Sequence, residues 1–244
     1  LVIKKSPLAE YQKKNIKKNT TQYDMLKKLE LNKEQHLKLI NYCKKKKINY
    51  LASVFDIESL NFLRRKSSSI KIPSGEITNY QLLKNIKKKN FLNIFLSTGA
   101  SKLDEVKKAL DILGKKNIYL LHANSEYPTK NIKDINLNVI KTFKKKFNIH
   151  NVGYSDHAIY KEVPIIAVAL GAKVIEKHFT INKKLKGPDH KASLSPNELT
   201  QTIKDVKRSN LLLGSYEKKP SFSESKNIKI IRKSLIAKKN IKKS

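Results

Sequence analysis

Two short apolar runs, each with a histidine at or just past its end, constrain the fold of this chain more than any other feature. The runs at 149–155 and 173–180 are predicted strands, and the apolar segment between them is long enough for a helix. Such a unit joins parallel neighbours, so His157 and His178 would leave the same edge of a sheet about 5 Å apart. Glu176 falls on the same face as His178. The spacing predicts a shared metal ion, and hydrogen-bonded structural histidines remain the alternative.

The same alternation of strand and helix extends over most of the chain. Helix caps follow most of the predicted strands: Asp56, Thr78 with Gln81, Ser101 with Asp104, and Ser195 with Glu198. The other predicted strands are 48–55, 69–72, 91–97 and 117–122. Six strands that alternate with helices predict a parallel α/β sheet, either open or closed into a barrel.

Polar residues collect in or just after the ends of many of these strands, whereas no glycine-rich phosphate loop follows any of them. A site fed by so many strands is typical of the top of a (β/α)8 barrel, of which two strands would not be visible here. The collected residues are Ser53, Lys71, Ser74, Glu76, Ser97, Ser125, Tyr127, Ser155, His157 and His178.

The formal net charge of +33 raises a second hypothesis, a basic protein that binds nucleic acid. Only four of the 53 basic residues are arginines, although sequence readers favour arginine, and the lysines spread over nearly every polar helical face. We therefore expect a compositional bias and no nucleic-acid partner. A third hypothesis is a non-catalytic barrel that binds phosphorylated metabolites.

Cysteine usage and hydropathy indicate where the protein works. Cys43 is the only cysteine, which excludes disulfides within the chain and thiolate metal clusters. We see no apolar run near the roughly 18 residues of a membrane span and no signal peptide. The prediction is a cytoplasmic protein without a membrane partner. After Leu213 the Ser, Pro and Lys content becomes that of a linker, which divides the chain into 1–214 and 215–244.

Six segments, in order, resemble the bacterial sialic acid synthases, the N-acetylneuraminate and legionaminate synthase family. They are KIPSGEITNYQLL (71–83), FLSTGAS (95–101), LLHANSEYPT (120–129), VGYSDH (152–157), VIEKHFT (174–180) and GPDHKASLSPNEL (187–199). The resemblance implies a TIM barrel followed by a small antifreeze-like domain. It also implies condensation of phosphoenolpyruvate with an N-acetylated amino sugar, such as N-acetylmannosamine, and release of phosphate.

The resemblance also implies roles for individual residues. His157 and His178 match the ligands of a divalent metal, Mn²⁺ or Mg²⁺, and with Glu76 they form the expected catalytic group. Positions that match phosphoenolpyruvate binding are Lys71, Ser74, Ser97 and Ser155, with Ser53 and Ser125 where relatives carry Thr or Asn. Glu76, Tyr127 and Asp189 match positions that face the sugar, and Glu76 would orient the sugar or move a proton.

Departures from the family pattern set further expectations. The chain starts after the family's first strands, so we expect a TIM (β/α)8 barrel that is incomplete at the N-terminus. Such a barrel leaves strand edges unpaired. Residues 215–244 would lead to an absent antifreeze-like domain, which in the family reaches the partner subunit of a homodimer. The segment GPDHKASL favours the sialic or legionaminic branch over the pseudaminic one.

Overall fold

The computed structural model describes residues 3–16 and 20–242, and within them five parallel strands form one sheet in the order β1-β2-β3-β4-β5. The strands are β1 (Ser69–Ile72), β2 (Asn93–Ser97), β3 (Ile118–Ala123), β4 (Val152–Asp156) and β5 (Val174–Lys177). The helices are α1 (Glu10–Ile16), α2 (Gln22–Leu29), α3 (Lys33–Lys45), α4 (Ile57–Arg64), α5 (Tyr80–Lys88), α6 (Leu103–Leu113), α7 (Val139–Phe147), α8 (Val163–Ala169), α9 (Pro196–Leu213), α10 (Phe222–Ser225) and α11 (Ile228–Ile231). The predicted parallel α/β architecture is confirmed, because one helix of α5 to α8 connects each strand to the next.

Alternation along the strands gives the sheet two different faces. The apolar face belongs to one buried core with helices α4 to α8, and its strand residues include Ile70, Ile72, Leu96, Leu120 and Val152. The helices pack against it through apolar stripes, such as Leu82, Leu83 and Ile86 on α5. Burial of these side chains drives the assembly of the layers. The opposite face is left free to carry polar side chains.

The sheet is strongly curled, and one ion pair demonstrates it. Lys71 lies on β1 and Glu176 on β5, at opposite edges of the five-stranded sheet, yet Lys71 Nζ is 3.7 Å from Glu176 Oε1. Four strand spacings in a flat sheet would separate these edges by roughly 19 Å. The strands therefore bend into a half-barrel whose concave face encloses the polar side chains.

The strand predicted at 48–55 is wrong as a full strand. Of residues 48–55, all of which the structure describes, only Ser53 forms a bridge, in parallel with Lys71, and Lys71 N donates to Ala52 O at 3.1 Å. The segment lies at the edge of the sheet, where a strand has a neighbour on one side only. Of its large apolar side chains, Ile48, Leu51 and Phe55 are exposed and Val54 is buried, so little burial holds the segment to a regular ladder.

Most helix starts follow the predicted capping chemistry. Asp56 caps α4, and Ser195 with Glu198 forms a capping box at α9, where Pro196 occupies the first helical position. Two predicted caps lie one residue before the observed ones. Asn79, not Thr78, caps α5. Lys102, not Ser101, is the residue that precedes the first turn of α6. The side chain of Ser101 donates to Gly99 O instead.

The two ends of the chain differ in how they join this body. Near the N-terminus residues 10–16 form α1, whereas residues 1–2 and 17–19 lie outside the described part. Residues 214–242 are exposed almost throughout, and the division at 214 stays a prediction. No helix in the described ranges has the length and apolar character that a membrane span requires.

Candidate active site at the carboxyl edge of the sheet

A chain of polar contacts crosses the concave face near the carboxyl ends of the strands. Lys71 Nζ donates to Ser97 Oγ at 2.7 Å and to Ile72 O at 3.2 Å. Ser155 Oγ donates to Glu176 Oε1 at 2.7 Å, and the same oxygen pairs with Lys71. Burial lowers the pKa of Lys71, while the nearby Glu176 carboxylate opposes that shift. Four strands thus hold one cation, one anion and two hydroxyls within contact of each other.

The two predicted metal ligands lie side by side above this network. The imidazole centroids of His157 and His178 are 5.3 Å apart, and the ring planes cross at 70°. His157 is only 7% exposed, and its Nδ1 contacts the carbonyl oxygen of Asn124. A carbonyl can only accept, so Nδ1 carries the proton and Nε2 presents a lone pair. The structure brings together the pair that the sequence placed at two strand ends.

The chemistry of this pair fits a divalent metal. Burial lowers the pKa of His157 to about 4, so the ring is neutral near pH 7, which is the form that binds metals. A carbonyl that orients the second ring nitrogen is also the usual support of a metal-binding histidine. Among the described residues, no group of three or more His, Cys, Asp or Glu could hold an ion. Two protein ligands would leave coordination positions for substrate.

Aromatic side chains pack against one side of the His157 and His178 rings. The Tyr127 ring lies 4.1 Å from that of His157 and 5.4 Å from that of His178, between centroids. Tyr11 from α1 stacks on Tyr127 at 5.2 Å, and Asn15 Nδ2 donates to Pro188 O at 2.6 Å. Burial, reinforced by Tyr11 and nearby carboxylates, raises the pKa of Tyr127 to about 12, so its phenol stays protonated.

The predicted serines at the start of the βα loops converge on Gly99. Gly99 N donates to Ser74 Oγ at 2.9 Å. A Cβ at Gly99 would lie 2.8 Å from Ser74 Oγ and 2.2 Å from Ser125 Oγ, which is closer than real Cβ atoms come. An alanine at this position would therefore displace the two hydroxyls from the backbone of the loop after β2.

The remaining predicted residues are placed near the edge but less tightly tied to it. Ser53 bridges the backbone of Lys71, which brings it to the first strand of the site. The Glu76 carboxylate accepts from Asn79 Nδ2 at 2.8 Å, close to the start of α5. Asp189 Oδ1 is buried beside Tyr11 and Tyr127, and no described residue forms a hydrogen bond with it. The roles of all three stay predictions.

Sequence reasoning missed several parts of this site. Glu176 was placed on the His178 face by alternation but received no role, although its contact with Lys71 ties the two sheet edges together. The orienting carbonyl of Asn124 could not be found, because backbone groups leave no signature in residue types. Tyr11 lies in a lysine-rich segment whose residue pattern gives no sign of a site.

Comparisons with known proteins agree with this architecture. The model of the NeuB family matches residues 1–218. N,N'-diacetyllegionaminic acid synthase of Campylobacter jejuni is 46% identical over 245 residues, which cover 98% of this chain and 72% of that protein. The protein of the same name from Legionella pneumophila is 39% identical, over 99% of this chain and 69% of the relative.

Solved structures extend the likeness to the fold. N-acetylneuraminic acid synthetase from Leptospira borgpetersenii, determined in complex with citrate, superposes with a TM-score of 0.80 at 34% identity. The match covers 90% of this chain and 77% of that one. A truncated 3-deoxy-D-arabino-heptulosonate 7-phosphate synthase from Thermotoga maritima, 16% identical with a TM-score of 0.65, shares the fold alone.

Proposed function

The chain belongs to the NeuB family, and from that premise we propose that it is a nonulosonate synthase. It would condense phosphoenolpyruvate with an N-acetylated amino sugar and water to give a nonulosonic acid and phosphate. One observation supports this more than any other: a buried lysine, held by a serine hydroxyl and a carboxylate, lies on the same concave face as two histidine rings whose centroids are 5.3 Å apart. The first group suits an anionic substrate, and the second suits a metal.

Phosphoenolpyruvate would bind at Lys71. An ammonium group has three donor hydrogens, and charge-assisted bonds to phosphate or carboxylate oxygens are about twice as strong as neutral ones. Ser97 contacts Lys71 directly, and Ser155 is joined to it through Glu176. Ser74, which follows β1, and Ser125, which follows β3, add hydroxyls beside Gly99, so several donors would surround the position of the anion.

His157 and His178 would hold the divalent metal, Mn²⁺ or Mg²⁺, through Nε2 of His157 and a ring nitrogen of His178. When bound, such an ion supplies Lewis-acid polarisation of the sugar aldehyde. The protein's own contribution is to keep His157 neutral by burial and to fix its ring against the Asn124 carbonyl. The enzyme thereby reserves an acceptor position next to the phosphoenolpyruvate site.

The reaction then needs positioning and proton handling from the chain itself. Carbon 3 of phosphoenolpyruvate forms the new bond with the aldehyde carbon, water adds at carbon 2, and the C–O bond to phosphate breaks. Lys71 stabilises the negative charge of the departing phosphate. The protonated Tyr127 phenol can donate to a sugar oxygen, and Glu76 orients the sugar or moves a proton.

The acceptor that we propose is a 2,4-diacetamido sugar, with N-acetylmannosamine as the alternative. The two relatives named N,N'-diacetyllegionaminic acid synthase are 46% and 39% identical to this chain. A pseudaminic acid synthase is 32% identical, and N-acetylneuraminate-9-phosphate synthases are 33% to 37% identical. The higher identities and the GPDHKASL segment both support the legionaminic branch.

Further features of the proposal concern the whole protein. The curled sheet would form the larger part of a (β/α)8 barrel, and residues 215–244 would lead to an antifreeze-like domain. The working enzyme would be a cytoplasmic homodimer. The family membership supports these features, and a mass measurement in solution would test the dimer.

Phosphate release tests the reaction and the metal separately. We expect the purified protein to release phosphate from phosphoenolpyruvate only when Mn²⁺ or Mg²⁺ and an N-acetylated amino sugar are both present. His157→Ala should abolish that release, whereas His150→Ala, at an exposed histidine outside the site, should leave it unchanged. Release that persists in His157→Ala would refute the metal assignment, and no release with any acceptor sugar would refute the synthase.

A further inference from the structure

A buried ion pair lies behind the two histidines, on the face of the sheet that turns away from the site. Asp156 Oδ2 is 2.9 Å from Lys177 Nζ, and the two side chains are 0% and 8% exposed. Asp156 immediately precedes His157, and Lys177 immediately precedes His178. The two ionic residues are directly opposite each other on the neighbouring strands β4 and β5.

The same two side chains also hold the backbone that follows His157. Asp156 Oδ1 accepts from Ala158 N at 2.8 Å, and Lys177 Nζ donates to Ala158 O at 2.9 Å. The carbonyl of His157 itself accepts from Thr129 N at 2.9 Å. The peptide groups on the carboxyl side of His157 therefore have defined partners, and the imidazole is presented from a backbone with little freedom to rotate.

The strand ends are fastened on both faces of the sheet. On the concave face, Ser155 and Glu176 form a hydrogen bond at 2.7 Å between residues that are opposite in register. On the other face, one residue further along, Asp156 and Lys177 form the ion pair. His157 and His178 come next on the concave face. Two consecutive cross-strand contacts thus set the separation of the strands at the point where the imidazoles emerge.

We propose that the Asp156–Lys177 ion pair is a positioning device that directs His157 toward His178 through the backbone of Ala158. A buried ion pair contributes little net stability, because the desolvation of two charges offsets their attraction. The geometric restraint is what an apolar pair of similar volume would not reproduce. The role in metal binding rests on the proposed function, whereas the orientation of the His157 ring does not.

The test compares the wild-type chain with the double variant Asp156→Leu/Lys177→Met, because an apolar pair avoids leaving one buried charge unpaired. Leu120→Ala serves as the control, since it removes buried side-chain volume from β3, where Leu120 is opposite Val152, five residues before His157. Two quantities are measured for each protein. One is the Kd of Mn²⁺ by titration calorimetry, and the other is the tautomer of His157 by ¹⁵N NMR of the metal-free chain.

We expect the double variant to bind Mn²⁺ about 10- to 100-fold more weakly, the range typical of lost support around a metal ligand. Its His157 should also lose the single Nδ1-protonated tautomer, while Leu120→Ala keeps both properties. The proposal is overturned if His157 of the double variant keeps the wild-type tautomer, whatever the Mn²⁺ affinity of that variant. It is also overturned if the Kd of Mn²⁺ for the double variant equals that of the wild type. A wild-type chain that binds no Mn²⁺ refutes the metal assignment alone, and the tautomer comparison then decides this proposal.

Discussion

Replacing Glu176 by glutamine should destabilise the protein more than replacing Lys71 by methionine, although both changes remove the same ion pair. The side chain of Lys71 is 11% exposed, whereas that of Glu176 is 37% exposed. Glu176→Gln therefore leaves a buried ammonium without an anion. Lys71→Met leaves a carboxylate that still reaches water and still accepts from Ser155. The asymmetry follows from burial, not from the distance between the charges.

The magnitudes follow from the same geometry. At an effective dielectric constant of about 20, opposite charges 3.7 Å apart attract by about 4.5 kcal/mol before desolvation is counted. Breaking a buried pair on one side is expected to reduce the free energy of unfolding by about 3 kcal/mol for Glu176→Gln. For Lys71→Met, which removes the more desolvated charge, we expect a loss of about 1 kcal/mol or less. Urea denaturation followed by circular dichroism measures both differences.

The dependence of stability on pH provides an independent test of whether the buried Lys71 ammonium causes the loss in Glu176→Gln. Burial lowers the pKa of Lys71 below its usual 10.5, so the folded protein disfavours the charged form. The free-energy cost of burying the charged Lys71 is therefore complete at neutral pH and disappears as pH rises toward 10.5. The deficit of Glu176→Gln relative to the wild type should shrink over that range.

An exposed pair provides the matched control. Lys107 and Asp111 are closer together, at 2.8 Å, but their side chains are 66% and 55% exposed. Lys107→Met should change stability by about 0.5 kcal/mol or less. The reasoning is refuted if Lys71→Met proves as harmful as Glu176→Gln, or if the deficit does not change with pH.

Two further predictions concern the strands and the buried imidazole. Gly153→Ala would put a Cβ 2.5 Å from the backbone oxygen of Val174, so we expect a loss of about 2–3 kcal/mol in thermal unfolding. Gly75→Ala, with nothing within 4 Å, should be nearly neutral, and equal effects would contradict the strand geometry. The pKa of His157 is lowered from 6.5 to about 4, so the metal-free protein should lose up to about 3 kcal/mol of stability as pH falls through that interval. His157→Asn should flatten this profile, and an unchanged profile would show that the ring is not buried in the neutral form.

Local sequence patterns, namely side-chain alternation and helix-capping residues, predicted most of the secondary structure. The period of two placed Glu176 and His178 on one face, and the capping signals at Asp56 and Ser195 are met in the structure. The prediction of a full strand at 48–55 failed, because an apolar composition does not show whether a segment has a neighbouring strand on one side or on both. The order of the described strands along the sheet followed from the alternation of strands and helices, since each helical connection joins adjacent parallel strands.

The sequence by itself determined which residues reach the carboxyl edge of the sheet, because strand ends and side-chain alternation are set by neighbours along the chain. Apart from the pair His157 and His178, only the tertiary structure decided which of them meet. The curl of the sheet brings Lys71 to Glu176, and the packing of α1 brings Asn15 to Pro188, 173 residues away. The tertiary structure also set the environment of His157, whose orienting partner is the backbone carbonyl of Asn124, 33 residues earlier. Such contacts depend on how the layers pack together, which no local pattern of residue types encodes.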